Sequence, residues 1–195
     1  MLILASQSPR RAELLRNAGV AFEVRPADVD ESLRDGEGSL EYVKRLAEEK
    51  ALAVLSSAPI GATVLGADTT VVLDGESLGK PVDEDEARRM LTRLGGRVHQ
   101  VMTGVCVARR NEDGAAVTET GVEVTEVEFA AMSAEEIAAY VASGEPMDKA
   151  GAYGIQGLAS RWIPRIRGCY FNVVGLPVSR VCAMLERAGH EKSQF

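Results

Sequence analysis

A chain of 195 residues with 46% hydrophobic and 26% charged residues is long enough to enclose a sizeable core as one domain. Its formal net charge of −7 argues against a broad nucleic-acid surface, which needs a basic face, but allows a small anion held by local cations. No segment reaches the ~20 apolar residues that span a bilayer, and the three cysteines form no CxxC pair. The sequence therefore predicts a cytoplasmic globular protein that binds neither nucleic acid nor a membrane.

The first part of the chain predicts a strand followed by two helices. Residues 2–5 form an apolar run that leads into a helix, for which Ser8 is a good N-cap and Pro9 a good first residue. The apolar periodicity predicts a second helix over 39–55. At 100° per residue Lys50 falls inside the apolar stripe of this helix. A lysine there is costly unless it meets a negative partner or lines a cleft.

The middle and the end of the chain mix strands and helices without strict alternation. Two apolar runs, 63–65 and 71–73, are separated by Gly-Ala-Asp-Thr, and Asp74-Gly75 is a hairpin turn signal. The remaining predicted elements are, in order, a helix from 83 to 95, two long strands over 97–109 and 117–129, a helix from 133 to 144, a strand over 169–174 and a closing helix over 177–188. This order favours an α/β or α+β fold with a mixed sheet over a purely parallel sheet.

Arg10 and Arg11 occupy the first turn of the first predicted helix, where positive charge opposes the helix dipole. The local cost is a few tenths of a kcal/mol to ~1 kcal/mol. An anion bound by the backbone N–H groups and the guanidinium groups would explain them. The alternative is that both arginines point into solvent.

Asp68 is an acidic residue between two apolar runs, which is a poor position for stability. A role in binding a divalent cation or in activating a water would explain this position. The alternative is an aspartate in a solvated turn. Asp28, Asp30 and Glu31 lie at the end of another predicted strand, which the extended pattern over 21–25 indicates, and they can supply a second metal carboxylate or form a solvated acidic loop.

Three lysines lie beside glycine, proline or apolar surface rather than on a charged face: Lys50, Lys80 and Lys149. Together with the arginines they suit a polyphosphate, whose charge is spread over several cations. No P-loop or dinucleotide-binding motif is present, and His99 is interpreted as a strand residue rather than a base.

Six segments in one order over nearly the whole chain resemble the Maf family of nucleotide pyrophosphatases. They are LASQSPRR (4–11), LGADT (65–69), GKP (79–81), GGRVHQVMTG (95–104), EPMDKAGAYGIQG (145–157) and NVVGLP (172–177). The resemblance implies a single domain over residues 1–195 with a fold like that of inosine triphosphate pyrophosphatases, an elongated mixed sheet flanked by helices with a cleft between two lobes. It also implies hydrolysis of a nucleoside triphosphate between the α and β phosphates with Mg²⁺ or Mn²⁺, and it makes a homodimer plausible.

The resemblance also assigns roles to residues. Asp68 matches the catalytic carboxylate beside the metal, and Glu31 a further acidic residue that binds metal. The substrate-binding residues that neutralise or contact the triphosphate would be Ser8, Arg10, Lys50, Lys80 and Lys149. Such charge neutralisation supplies most of the catalytic help in phosphate chemistry.

Three residues match the family branch that acts on dTTP and UTP: Arg11, Thr69 and Gln156. The amide of Gln156 offers both a donor and an acceptor, which suits the edge of uracil or thymine. Two alternatives stay open, a pyrophosphatase that prefers modified or purine nucleotides and a nucleotide-binding regulator of cell division. A regulator would not need the water-activating carboxylate, so Asp68 with Glu31 favours the enzyme.

Overall fold

The structure, a computed structural model, describes residues 1–190. Its strands are β1 (Leu2–Ala5), β2 (Glu23–Val24), β3 (Thr63–Leu73), β4 (Glu76–Leu78), β5 (Val98–Arg110), β6 (Ala116–Glu128) and β7 (Arg165–Arg167). Within these residues they form a seven-stranded sheet in the order β2-β1-β3-β5-β6-β7, with β4 paired to β3. β1 is parallel to β2 and β3, whereas β4 is antiparallel to β3 and β7 to β6. The predicted mixed sheet is therefore confirmed.

The helices are α1 (Pro9–Asn17), α2 (Ser39–Leu55), α3 (Glu84–Leu94), α4 (Ala134–Ala142), α5 (Tyr170–Val174) and α6 (Val178–Arg187). Side chains cap two of them. Asp83 accepts a hydrogen bond from the Glu86 N–H at the start of α3, and Ser133 with Glu136 forms a capping box at the start of α4. Over residues 1–190, none of these helices is both long and apolar enough to cross a membrane.

Two predicted elements differ from the structure. Residues 63–73 form one continuous strand. Asp68 inside it pairs with Lys50 from helix α2, so the strand does not have to break to expose the carboxylate. Residues 170–174 form the short helix α5 rather than a strand. Here Asn172 is fully buried and its amide donates to the main-chain oxygen of Val101 and to Thr125 Oγ1, so tertiary hydrogen bonds override the β propensity of the segment.

The chain divides into two compact units, each with its own core. Within the described residues, the first unit contains 1–68, 103–123 and 175–190. The second contains 69–102 and 124–174. The core of the first includes Ile3, Ala47, Val64 and Cys106, and the core of the second includes Val71, Leu91, Phe129 and Trp162. The single domain over 1–195 and the cleft stay predictions; residues 191–195 lie outside the described part of the chain.

Candidate active site

Asp68 lies inside strand β3 with its carboxylate nearly buried. Its side chain is 12% exposed, and almost every other residue of the strand is buried. An ionised carboxylate in such a position requires a charged or hydrogen-bonded partner. The alternative of an aspartate in a solvated turn is therefore wrong.

Lys50 supplies that partner from helix α2. Its Nζ lies 2.7 Å from Asp68 Oδ1 and 2.6 Å from Glu31 Oε1, and its side chain is 10% exposed. One ammonium group thus joins a buried carboxylate to a largely exposed one. The inward direction predicted for Lys50 is confirmed, and so is the negative partner that makes it tolerable.

Close packing of helix α2 on strand β3 fixes the backbones that carry this pair. A Cβ built on Gly66 would lie 2.1 Å from the main-chain oxygen of Ala47 and 2.8 Å from the nitrogen of Ala51. No real side chain fits at that distance, so only glycine allows the helix to approach the strand this closely. Gly66 lies two positions before Asp68, and the two alanines flank Lys50 in sequence. The separation of the ion pair is therefore set by main-chain contact.

Tyr42 and Arg45 hold the loop of Glu31 on helix α2. The Tyr42 hydroxyl donates to the main-chain oxygen of Glu31 at 2.9 Å, and Arg45 donates to that of Ser32 at 3.0 Å. Burial, reinforced by nearby carboxylates, raises the pKa of Tyr42 to about 12, so the hydroxyl stays a donor. Arg45 also bonds both carboxylate oxygens of Glu37, at 2.6 and 2.7 Å, and this lowers the pKa of Glu37 to about 2.

Asp28 and Asp30, the other acidic residues considered for a metal, are exposed in the same loop. Asp30 accepts a hydrogen bond from the Ser32 N–H at 2.9 Å, and its bonds with Ser32 lower the pKa of its carboxyl group. Among residues 1–190, the ion-pair partners of Lys50 are Glu31 and Asp68. The geometry thus selects Glu31 over the two aspartates.

Arg11 is buried rather than directed into solvent. Its Nε donates to the main-chain oxygen of Gly175 at 2.9 Å, while Nη1 donates to that of Ala67 at 2.9 Å and to Ser6 Oγ at 3.0 Å. Burial lowers the pKa of the guanidinium group, and the negative charge of Asp68 opposes this effect. Arg11 therefore anchors the strand at the residue directly before Asp68.

Ser8 and Arg10 begin helix α1 as predicted. Ser8 is the N-cap residue, and its N–H donates to Ser6 Oγ at 3.2 Å. The first turn of α1 carries no acidic residue, so the positive end of the helix dipole meets no protein carboxylate within that turn. Arg10 is half-buried there. The anion site at this helix end stays a prediction.

Four of the proposed substrate-binding residues lie in the second unit. Thr69 is half-buried in β3, and Gln156 is exposed in a turn. Lys80 is exposed, whereas the Lys149 side chain is 17% exposed. A hydrogen bond of 3.0 Å from the Gly151 N–H to the Gly79 oxygen joins the chain segments of the two lysines.

Asp68 and Glu31 fit a divalent cation that binds together with phosphates. Each has an oxygen within hydrogen-bond distance of the same ammonium nitrogen, so both can reach a single cation. Among residues 1–190, no group of three or more His, Cys, Asp or Glu residues is arranged to hold a metal. Mg²⁺ commonly takes one or two protein carboxylates and completes its shell with waters and substrate phosphates. The two carboxylates fall within that range.

Sequence reasoning missed the residues that support this cluster: Ser6, Tyr42 and Arg45. Tyr42 and Arg45 are three positions apart on α2, which places them on one helix face beside the acidic loop. That spacing was an available signal. The role of Ser6, which accepts hydrogen bonds from Arg11 and Ser8, depends on the folded chain and has no local signal.

The family model described as Maf-like protein matches residues 1–188. The chain belongs to the Maf family. This Maf protein is 54% identical over 189 residues to a dTTP/UTP pyrophosphatase of Anaeromyxobacter sp. (strain Fw109-5), a match that covers 97% of this chain and 90% of that protein. It is also 54% identical over 188 residues to a dTTP/UTP pyrophosphatase of Koribacter versatilis (strain Ellin345), covering 96% and 94%.

Among solved structures, the Maf chain is similar to a HAM1 protein from Coxiella burnetii. The identity is 18%, the TM-score is 0.49, and the match covers 95% of this chain and 98% of that chain.

Proposed function

We propose that this Maf protein hydrolyses dTTP and UTP to the nucleoside monophosphate and pyrophosphate, with Mg²⁺ or Mn²⁺. The observation that carries the proposal is the nearly buried Asp68 carboxylate, which Lys50 holds beside Glu31. The substrate is supported by the names of relatives that are 54% identical over almost the whole chain.

In the proposed reaction Asp68 orients a water and accepts its proton. The water oxygen bonds to the α phosphorus while the bond from that phosphorus to the bridging oxygen breaks, and pyrophosphate leaves. Lys50 holds the Asp68 carboxylate in place and supplies positive charge beside the phosphates. A divalent cation, when bound by Asp68 and Glu31, would add further neutralisation of the phosphate oxygens.

By family resemblance we assign the phosphates also to Ser8, Arg10, Lys80 and Lys149. Lys80 is exposed, and its ammonium group forms no ion pair among residues 1–190, which suits a cation that binds an external anion. The resemblance likewise assigns substrate selection to three residues, Arg11, Thr69 and Gln156. The bonds of Arg11 to main-chain oxygens support an indirect role for it, through the position of β3.

Hydrolysis of a nucleotide panel by the wild type and by Asp68→Asn tests the proposal. Monophosphate and pyrophosphate are quantified with Mg²⁺ or Mn²⁺ and after chelation of the metal. We expect turnover of dTTP and UTP, a fall of about 10²–10⁴-fold in Asp68→Asn, and loss of activity on chelation. Asp113→Asn, an isosteric change at an exposed hairpin turn, is the matched control and should keep full activity.

Two other outcomes of this assay would favour the alternative functions. Turnover of purine nucleotides alone would keep the enzyme and contradict the specificity assigned to Arg11, Thr69 and Gln156. Binding of nucleotides by folded, metal-loaded protein without any cleavage would favour the regulator of cell division. A cytoplasmic location and a homodimer belong to the same proposal, supported by the family and by nucleoside triphosphates as substrates; sedimentation of the purified protein tests the dimer.

A further inference from the structure

Gln156 lies in a tight turn of the second unit. The turn spans residues 154–157 and is closed by a hydrogen bond of 3.1 Å from the Gly157 N–H to the Gly154 oxygen. Gln156 occupies its third position and is exposed. A turn of this kind presents one side chain outward but has few contacts of its own to keep it rigid. The direction of the Gln156 amide therefore depends on what holds the turn.

A carboxylate and a phenol hold both ends of this turn. The Leu158 N–H, just after the turn, donates to one oxygen of Glu145 at 3.0 Å. The Tyr140 hydroxyl donates to the other oxygen of Glu145 at 2.8 Å and accepts from the Gly154 N–H at 3.3 Å. The two ends of the turn are thus linked through one side-chain pair, which we term the Glu145–Tyr140 clamp.

The two glycines of the turn make room for the clamp. A Cβ on Gly157 would lie 2.3 Å from Glu145 Oε1 and 2.4 Å from Oε2, so the carboxylate lies directly against the main chain of the turn. A Cβ on Gly154 would lie 2.7 Å from Lys149 Cε. Lys149 Nζ in turn donates to the main-chain oxygen of Glu145 at 2.6 Å. The turn, the clamp and Lys149 therefore pack as one piece.

Tyr140 gives the clamp a rigid base. It is 2% exposed on helix α4, and its ring packs on Trp162 with centroids 5.6 Å apart. Burial, reinforced by the hydrogen bond to Glu145, raises the pKa of Tyr140, so the hydroxyl keeps its proton and its role as donor. A buried ring on a capped helix moves little, so the hydrogen bonds of Tyr140 restrict the motion of the turn.

We propose that Glu145 and Tyr140 are positioning residues that set base selectivity by fixing the turn that carries Gln156. The inference rests on the proposed function, in which the Gln156 amide recognises the pyrimidine edge. An amide distinguishes bases only while its donor and acceptor stay within hydrogen-bond geometry. A more mobile turn should therefore reduce selectivity between bases more than it reduces the rate of phosphate hydrolysis.

Tyr140→Phe and Glu145→Gln test the clamp, with Tyr170→Phe as the matched control. Tyr170 is 41% exposed, and its ring packs against Phe171. The measured quantity is the ratio of kcat/KM for UTP to kcat/KM for GTP. We expect this ratio to fall about tenfold in both clamp variants, through a higher KM for UTP, and to stay unchanged in the control.

Two further measurements separate positioning from a general loss of structure. Inhibition by inorganic tripolyphosphate, which has no base, should be unchanged in the clamp variants, because Lys149 Nζ donates to the main-chain oxygen of Glu145 and neither substitution removes that oxygen. Adding Tyr140→Phe to Gln156→Ala should lower the ratio no further, because the clamp acts through Gln156. A full additional tenfold loss in the double variant, or equally weakened tripolyphosphate inhibition, would overturn the inference.

Amide hydrogen exchange of residues 153–158 tests the clamp without any activity. Faster exchange in Tyr140→Phe and Glu145→Gln, but not in Tyr170→Phe, is the expected result. Unchanged exchange in both clamp variants would overturn the inference. If the wild type hydrolysed neither dTTP nor UTP, the proposed function would fail, while the exchange result would still decide whether the clamp holds the turn.

Discussion

Replacement of His99 is expected to remove part of the acid sensitivity of the fold. His99 is 2% exposed in β5; its Nε2 lies 2.7 Å from the Tyr153 hydroxyl, and its Nδ1 has no hydrogen-bond partner among residues 1–190. Rings of Phe129 and Tyr153 surround it at 6.0 and 5.4 Å between centroids. Burial in these surroundings lowers the pKa of His99 from 6.5 to about 4.

Because the folded state lowers the pKa of His99, acid destabilises the fold. Below pH 6.5 the unfolded chain binds a proton at His99 that the folded chain refuses until about pH 4. The free energy of unfolding therefore falls as the pH falls through this window. Between pH 8 and pH 5 the loss assigned to His99 is about 2 kcal/mol, since one pKa unit corresponds to about 1.4 kcal/mol.

Urea unfolding of the wild type and of His99→Gln at several pH values between 8 and 5 measures this contribution. The glutamine keeps a hydrogen-bonding group for Tyr153 but cannot titrate. We expect the variant to be less stable than the wild type at pH 8. Between pH 8 and pH 5 its free energy of unfolding should fall by about 2 kcal/mol less than that of the wild type. Parallel curves would refute the reasoning, as would a wild-type His99 ring signal, followed by NMR, that titrates near pH 6.5.

Two further predictions concern the support of the candidate active site. Gly66→Ala should lower the free energy of unfolding by about 3 kcal/mol, because its Cβ would lie 2.1 Å from a carbonyl of α2, whereas Gly79→Ala, with no atom within 4 Å of a Cβ, should be near neutral in thermal unfolding. Arg45→Gln should weaken Mn²⁺ binding, followed by electron paramagnetic resonance, about tenfold through the loop of Glu31; Arg88→Gln on α3 is the matched control, and equal affinity in the two variants would contradict the role of Arg45.

Local patterns predicted the parts of the site that depend on periodicity. The apolar stripe gave helix α2 its observed bounds, Ser39–Leu55, and placed Lys50 on its inner face. The starts of α3 and α4 were also predicted to within one residue, because a helix cap is formed by residues three positions apart in sequence. The prediction of an ion-pair partner for Lys50 came from the cost of burying a lone charge.

The parts that depend on distant contacts could not be predicted in this way. The strand break expected near Asp68 is absent, because Lys50 from α2 neutralises the carboxylate and Gly66 lets that helix approach. For Arg11 the sequence left a bound anion and solvent as alternatives, and the structure shows bonds to main-chain oxygens 56 and 164 positions away. The role of Glu145 depends on a turn that follows it by nine residues or more. These contacts join residues at no regular spacing, so the pattern of the sequence does not predict them.

The bond between Arg11 and Gly175 also has a consequence for how the protein is made. Its two ends are 164 positions apart, and the first unit takes its last segment from residue 175 onward. A growing chain on the ribosome therefore completes residues 69–174, which hold the whole second unit, before the first unit has all its parts. Asp68 is synthesised early but receives its full support late. We expect a nascent chain that stops before residue 175 to be inactive.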